Sequence, residues 1–247
     1  MRILITGASG FIGRNLINDN LLSNYNINVL TIGRQNLDFS SPNIQHIQCN
    51  LLELQKIMKH LILFDPHIII HLAWQGIPEL NEYNSKMNFN ISRDFINSFT
   101  NFKSLKKIIS LGSCLEYKYK DRECCESDDL DHEHPFSNAK INIMNLFIKK
   151  ALQLNIHYYW FRVFYVYGLY QREKAIIPYL IKSLANKKIP EIMTPNQSKD
   201  YISVRDITKI ISSSIFDDFD SGIYNLGNSK SYSPVDISKI IEKQMYN

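Results

Sequence analysis

The chain has 247 residues, 45% of them hydrophobic, and a formal net charge of +4. That length admits one large α/β domain, or one domain with a small lobe, and that apolar fraction excludes a disordered chain. The mild basic excess contains no long Lys/Arg run, which argues against a nucleic-acid partner and fits a positive potential around an anionic nucleotide.

Ile3-Leu4-Ile5 is a short apolar run of the kind that forms a buried parallel strand. Thr6-Gly7-Ala8-Ser9-Gly10-Phe11-Ile12-Gly13 follows directly, and a helix-like segment spans about 14–22. Glycines permit a tight turn and let backbone approach a pyrophosphate, which then rests on the free N–H groups of the helix N-terminus. The spacing is G-x-x-G-x-x-G rather than G-x-G-x-x-G, so the nucleotide reading draws its weight from the strand–turn–helix context, with a purely structural turn as the alternative.

A second strand is expected at Ile27 to Ile32. An acidic residue at its end would bond the adenosine ribose and favour NAD. Here the run ends in Gly33-Arg34-Gln35. Gly33 makes room, and Arg34, assisted by Arg14, is placed to clamp a 2′-phosphate. NADP is therefore the expected cofactor, with NAD the alternative; two solvated surface arginines is the plain reading of the same residues.

Further strands are expected at Ile44 to Gln48, Ile68 to Leu72, Ile108 to Leu111 and Tyr158 to Val163, with helices at about 52–63, 85–102, 138–154 and 174–186. Strands alternating with helices predict a doubly wound parallel sheet, with ligands at the strand C-termini. After about residue 164 the pattern turns irregular, with prolines at 178, 190 and 195. A smaller lobe is expected there, interleaved with a strand at Ile223 to Leu226 and a helix opened by Ser233-Pro234. The expected division is 1–164 for dinucleotide binding and 165–247 for the small lobe.

Asp121 to His134 reads as a charged surface loop. Its Cys124, Cys125, His132 and His134 match no zinc spacing, so no metal is expected. No stretch approaches the roughly 18 apolar residues of a spanning helix, and the short, glycine-broken N-terminus does not resemble a signal peptide. Cys49, Cys114, Cys124 and Cys125 are then expected as free thiols of a cytoplasmic protein. His71 is expected to pack or bond rather than catalyse, and Tyr158, Tyr159, Trp160, Phe161, Phe164, Tyr165 and Tyr167 to be mostly core. Arg172, Lys174, Lys199 and Arg205 are candidates for a substrate diphosphate, or ordinary surface charge.

Several ordered segments resemble the extended short-chain dehydrogenase/reductase family of nucleotide-sugar epimerases, dehydratases and reductases. The glycine turn is similar to its cofactor loop, and Ile70-His71-Leu72-Ala73-Trp74 to its fourth strand passing over the cofactor. Asn88 falls at a helix-stabilising asparagine. Leu111-Gly112-Ser113-Cys114-Leu115-Glu116-Tyr117 resembles the strand carrying a catalytic Ser/Thr, here Ser113. Arg162 to Gly168, Lys199 to Asp206 and Tyr224-Asn225-Leu226-Gly227 resemble three later signatures. The resemblance implies a Rossmann-like fold with a truncated substrate lobe, since family members usually run longer. It implies a cofactor set of Gly7, Ser9, Gly10, Phe11, Ile12, Gly13, Arg34, Asn50, Leu51, Leu72, Ala73, Lys140 and Tyr165, a substrate set of Ser113, Cys114, Arg172 and Arg205, and a homodimer through the helices at 85–102 and 138–154. Asn50 stands where the family usually has Asp.

One departure bears on chemistry. The family's Tyr-x-x-x-Lys pair falls on Pro135-Phe136-Ser137-Asn138-Ala139-Lys140, where the lysine is present and the tyrosine is Phe136. In the family the hydride belongs to the nicotinamide, the lysine charge lowers the tyrosine pKa, and the phenol moves the proton. Phenylalanine keeps the ring and has no proton to move, a loss of about 10²–10⁴ in rate. An engineered change, a substitute donor (Tyr117, Tyr165, Tyr167, or a water held by Lys140 and Ser113) and a protein that has left catalysis all fit. The expected function is an NAD(P)-dependent reductase or epimerase of a nucleotide-linked sugar, a 4-keto-6-deoxyhexose of surface-polysaccharide synthesis. Its alternative is a catalytically silent NAD(P)-binding sensor or scaffold.

Overall fold

A computed structural model describes residues 1–18, 27–39, 41–120, 122–217 and 219–246. Residues 19–22 of the expected first helix, and Asp121 of the expected charged loop, lie outside the described residues.

Seven parallel strands form the main sheet: β1 (Arg2–Thr6), β2 (Asn28–Gly33), β3 (Ile44–Gln48), β4 (Ile68–His71), β5 (Lys107–Ser113), β6 (His157–Val163) and β9 (Gly222–Leu226). Their order is β3-β2-β1-β4-β5-β6-β9. β1 is central and flanked on both sides, Ile3 pairing with Val29 of β2 and Ile68 of β4. Both its faces are covered, which is why it reads as a continuous apolar run. The order reverses between β1 and β4, and in such sheets the crevice beyond the strand C-termini at that point is where ligands bind.

Helices cover both faces. On one side α3 (Glu82–Asn97) and α4 (Pro135–Leu154) pack together over Leu4, Ile69, Ile108 and Trp160, with Phe147 edge-on to Trp160 at 5.7 Å. On the other, α1 (Phe11–Asn18) and α6 (Val204–Phe216) cover Ile3, Ile5, Ile70 and Phe161. Full burial of one such side chain contributes about 1.5–3 kcal/mol. α2 (Met58–Phe64) follows a 3₁₀ turn at Leu51–Lys56, so the expected helix at 52–63 is two pieces.

The segment after residue 164, expected to be irregular, carries a second sheet between stretches without helix or strand. β7 (Tyr165–Tyr167), β8 (Lys199–Ser203) and β10 (Ser231–Tyr232) make a small sheet in the order β10-β8-β7, with α5 (Ile176–Ala185) and α7 (Pro234–Tyr246) packed around Leu180, Tyr201 and Ile237. Strands this short show no readable alternation. Pro178 sits in the first turn of α5, where an N–H has no intrahelical acceptor to lose.

α4 also starts three residues before its expected position. Pro135 occupies the first helical position, and the His134 ring accepts the Phe136 N–H at 3.3 Å as the cap. Phe136 and Lys140 are therefore on the same helical face, four residues apart.

Candidate active site

The glycine turn after β1 is compressed. Gly7 has φ +78°, and a Cβ there would fall 2.7 Å from Ala73 N; one on Gly13 would fall 2.3 Å from Gly7 O. A Cβ on Gly10 would meet only Gly7 O, at 3.2 Å, and otherwise faces open space. The turn is locked by Gly7 N–H to Ile32 O and Gly10 N–H to Gly7 O. The first N–H groups of α1, at Phe11, Ile12 and Gly13, have no acceptor within the helix. Such an arrangement binds anions.

A groove runs from this turn across the strand ends. Gly7, Ser9, Gly10, Arg34, Leu51, Leu72 and Ala73 of the expected cofactor set line it. Gly33, Trp74, Gln75 and Asn88 line it as well, beyond that set. A Cβ on Gly33 would touch Ser9 and His46 at 3.4 Å. Asn50 caps the 3₁₀ turn, its side chain accepting the Leu52 N–H at 3.2 Å. Arg34 is exposed and donates from Nη1 to Gln75 Oε1 at 3.0 Å, and Arg14 donates to Ser9 O and Gln35 Oε1.

Trp74 stands between this groove and a second, smaller cavity of about 20 Å³, lined also by His71, Ser92, Ser110 and Lys140. Phe136 is buried and meets the Trp74 ring edge-on at 5.1 Å. Lys140 Nζ lies 4.2 Å from the Trp74 centroid and donates to Leu111 O at 2.9 Å. Burial pushes the Lys140 pKa down to about 8, against the opposing pull of Glu116. His71 is buried between Thr6 Oγ1 (2.7 Å) and Ser92 Oγ (3.1 Å), and burial with the Lys140 charge pushes it down to about 3. It bonds side chains on both sides as a neutral ring.

Ser113 ends β5. Its hydroxyl accepts the Leu115 N–H at 3.2 Å, and its N–H donates to Glu116 at 2.8 Å. Glu116 is fully buried and paired with the buried Arg162 at 2.8 Å, with Trp160 Nε1 as a further donor. Arg162 donates on to the Tyr117 hydroxyl, which donates to Asn225 of β9. Both functions of the Tyr117 hydroxyl are thus taken, which removes it as a substitute proton donor. Cys114 is pushed up to about 12, chiefly by burial. Tyr165, also pushed up to about 12 by burial and by the neighbouring Cys114 and Tyr201, lies in the small sheet beneath the Lys199 ammonium, 4.4 Å from its ring.

Arg172 and Arg205 are exposed and do not line the groove. In the charged loop Asp128 accepts from Lys120, Arg122 and the Cys125 N–H, so its own segment satisfies it. A larger recess of about 380 Å³ opens at the N-terminal ends of the strands. Its Arg2 and Asp65 pair with each other at 3.3 Å, and it lies at the edge of the sheet away from the glycine turn.

Sequence reasoning gave no site role to Trp74, Gln75 or the Glu116–Arg162 pair. All stand in or beside quoted motifs, but their partners are brought to them only by the fold.

An all-parallel sheet of this order, with a glycine turn at its switch point, defines a Rossmann-like α/β protein. A model of the NAD dependent epimerase/dehydratase family matches residues 3–227, and the chain belongs to that family. An uncharacterised protein of Methanocaldococcus jannaschii is 26% identical, covering 98% of this chain and 80% of its own length. The CDP-abequose synthase of Salmonella muenchen is 24% identical, covering 100% of this chain and 81% of its own. Among solved structures, UDP-glucuronic acid 4-epimerase from Bacillus cereus, in complex with UDP-glucuronic acid and NAD, superposes with a TM-score of 0.86 at 22% identity, covering 100% of this chain and 84% of that one. WbmG from Bordetella bronchiseptica, in complex with NAD, superposes at 0.85 with 15% identity, covering 100% and 79%. Among the described residues no helix is long and apolar enough to cross a membrane.

Proposed function

We propose that the protein binds NADP in the groove and acts as a reductase or epimerase on a nucleotide-linked 4-keto-6-deoxyhexose of surface-polysaccharide synthesis, as a homodimer. The observation that carries the reading is the pairing of an open-faced Gly10 with a β2 end that offers Gly33 and Arg34 and no carboxylate. The turn and the first N–H groups of α1 would hold the diphosphate. Leu51, Leu72 and Ala73 would line the adenosine and ribose path, and Arg34 would meet a 2′-phosphate. Bound NADP would supply the hydride chemistry.

In this reading the small lobe, 165–247, carries the substrate side. The Ser113 hydroxyl accepts from Leu115 N–H, and its proton, which meets the Cys114 thiol, would turn to the reacting oxygen. Lys140 would hold the nicotinamide ribose once the Trp74 ring, which stands between it and the groove, swings aside. Phe136 marks a position with no proton to transfer, so turnover is slow. The similarity to a CDP-abequose synthase supports a nucleotide-linked sugar as substrate class.

A silent NAD(P)-binding sensor is the second reading, favoured by the apolar packing of Phe136 against Trp74. The test is binding of NADPH and NADH to purified protein, then hydride transfer to a panel of CDP- and UDP-linked keto-sugars by wild type and Phe136→Tyr. A gain of about 10²–10⁴ in the variant supports the enzyme reading. Tight cofactor binding with no turnover in either form supports the sensor, and absence of dinucleotide binding removes both.

A further inference from the structure

We propose that Gln75, on the loop after β4, sets the dinucleotide preference of the groove by holding Arg34 across its adenosine end; this rests on the NADP reading above. Arg34 follows the last residue of β2 and is exposed. An exposed arginine side chain samples many rotamers, and ordering it around a ligand opposes binding. Here one of its five N–H donors is already committed, Nη1 donating to Gln75 Oε1 at 3.0 Å. The rest of the planar fork stays available for bidentate contact with a phosphate.

Gln75 is itself held fast. Its backbone N–H donates to Asn88 Oδ1 at 2.8 Å, and its carbonyl accepts from Asn88 Nδ2 at 2.9 Å. Asn88 lies on α3 at 2% exposure, and its Nδ2 also donates to Asn84 O. The Gln75 side-chain amide reaches Asn50 Oδ1 at 3.5 Å, beyond the end of β3. The backbone beneath Arg34 is fixed too: Gln48 Nε2 donates to Arg34 O and His46 Nε2 to Gln35 O. The ends of β2, β3 and β4 are thus tied together over one stretch of the groove, with a guanidinium at the crossing. A neutral amide oxygen is suited to this task. It fixes the arginine without cancelling its charge, whereas a carboxylate in its place would neutralise Arg34 and repel a phosphate.

The experiment titrates full-length protein with NADPH, NADH, adenosine 2′,5′-bisphosphate and adenosine 5′-monophosphate, reading dissociation constants by calorimetry. Wild type, Gln75→Met and Gln75→Glu are compared. Gln75→Met releases Arg34 and lowers affinity for NADPH and the bisphosphate about tenfold, leaving NADH and the monophosphate within about twofold. Gln75→Glu keeps Arg34 tethered and turns the preference toward NADH. A merely structural role for Gln75 would weaken all four ligands together and leave the NADPH/NADH ratio unmoved; that result, or an unmoved ratio in both variants, overturns the proposal. Wild-type protein that binds neither dinucleotide, or binds NADH in preference, overturns the NADP reading and this inference with it. A wild-type preference for NADPH with unmoved ratios overturns this inference alone.

Discussion

The Lys140 ammonium sits 4.2 Å from the centroid of the Trp74 ring while it donates to the Leu111 carbonyl at 2.9 Å. Ring face and carbonyl replace water around a charge that is held back from solvent. The burial cost exceeds the attraction from Glu116, so the neutral amine gains, and the pKa falls to about 8 from 10.5.

That shift fixes a sign. With the folded pKa below the unfolded one, the unfolded chain binds more protons between the two values, so stability rises with pH across that window. Lys140→Met removes the group. Wild type should gain about 2 kcal/mol over this variant between roughly pH 7 and pH 10. Urea titration of both proteins at the two pH values measures it, and an unchanged gap would mean that Lys140 is ordinarily solvated.

His71 gives a window on the acid side. Its folded pKa of about 3 lies below the usual 6.5, so the unfolded chain takes up the proton first as pH falls. Wild type should lose about 2 kcal/mol relative to His71→Asn between about pH 7 and pH 5. Thermal unfolding across that range reads the difference, and parallel curves for the two proteins would refute it.

Glu116→Gln leaves the Arg162 guanidinium buried without its counter-charge. The expected destabilisation is about 3–5 kcal/mol. The Ser113 N–H loses a charged acceptor in the same change, so any activity should fall along with stability. Equilibrium denaturation measures the first effect; a loss under about 1 kcal/mol would show that the pair is hydrated.

Gly10 and Gly13 separate binding from folding. A methyl at residue 13 collides with backbone at 2.3 Å, so Gly13→Ala unfolds at markedly lower temperature. At residue 10 the methyl meets only Gly7 O, at 3.2 Å, which a small backbone adjustment relieves, so Gly10→Ala keeps its melting temperature to within a few degrees, a shift of about 1 kcal/mol. If the turn cradles a diphosphate as proposed, Gly10→Ala should still lose most affinity for NADPH, because the methyl would stand in the diphosphate's path. Calorimetric scans with and without NADPH distinguish the two variants; equal NADPH binding by Gly10→Ala and wild type would remove the diphosphate from this turn.

The sheet's interior was legible because Ile3-Leu4-Ile5, Ile68-Ile69-Ile70 and Ile108-Ile109 are buried on both faces and cannot alternate with polar residues. The glycine turn was legible because Gly7 and Gly13 answer to local backbone geometry. β7, β8 and β10 were not, being two to five residues long and set by lateral pairing. The early start of α4 rests on a histidine cap, a weaker sequence signal than Ser or Asp. At the site, the motifs named Ser113, Phe136 and Lys140 by position. The bond from Arg34 to Gln75 spans 41 residues and the pair of Arg162 with Glu116 spans 46. No local pattern encodes such partners; they are consequences of strand order.

The Tyr117–Asn225 bond joins groups 108 positions apart in the chain. During synthesis the first six sheet strands emerge and can pair well before β9 leaves the ribosome. Until it does, the Tyr117 hydroxyl has Arg162 of β6 but no acceptor in Asn225, the open side of β6 has no mate, and the loop around Cys124 and Glu126 lacks the strand that it binds through Asn225. The Ser113 turn, held by Leu115, Glu116 and Arg162, needs none of this, whereas the Tyr117–Asn225 link waits for the last parallel strand to close a loop with a high entropic cost. A nascent chain can own its glycine turn and its Ser113 turn before β9 emerges, and seals the loop around Cys124 and Glu126 only afterwards.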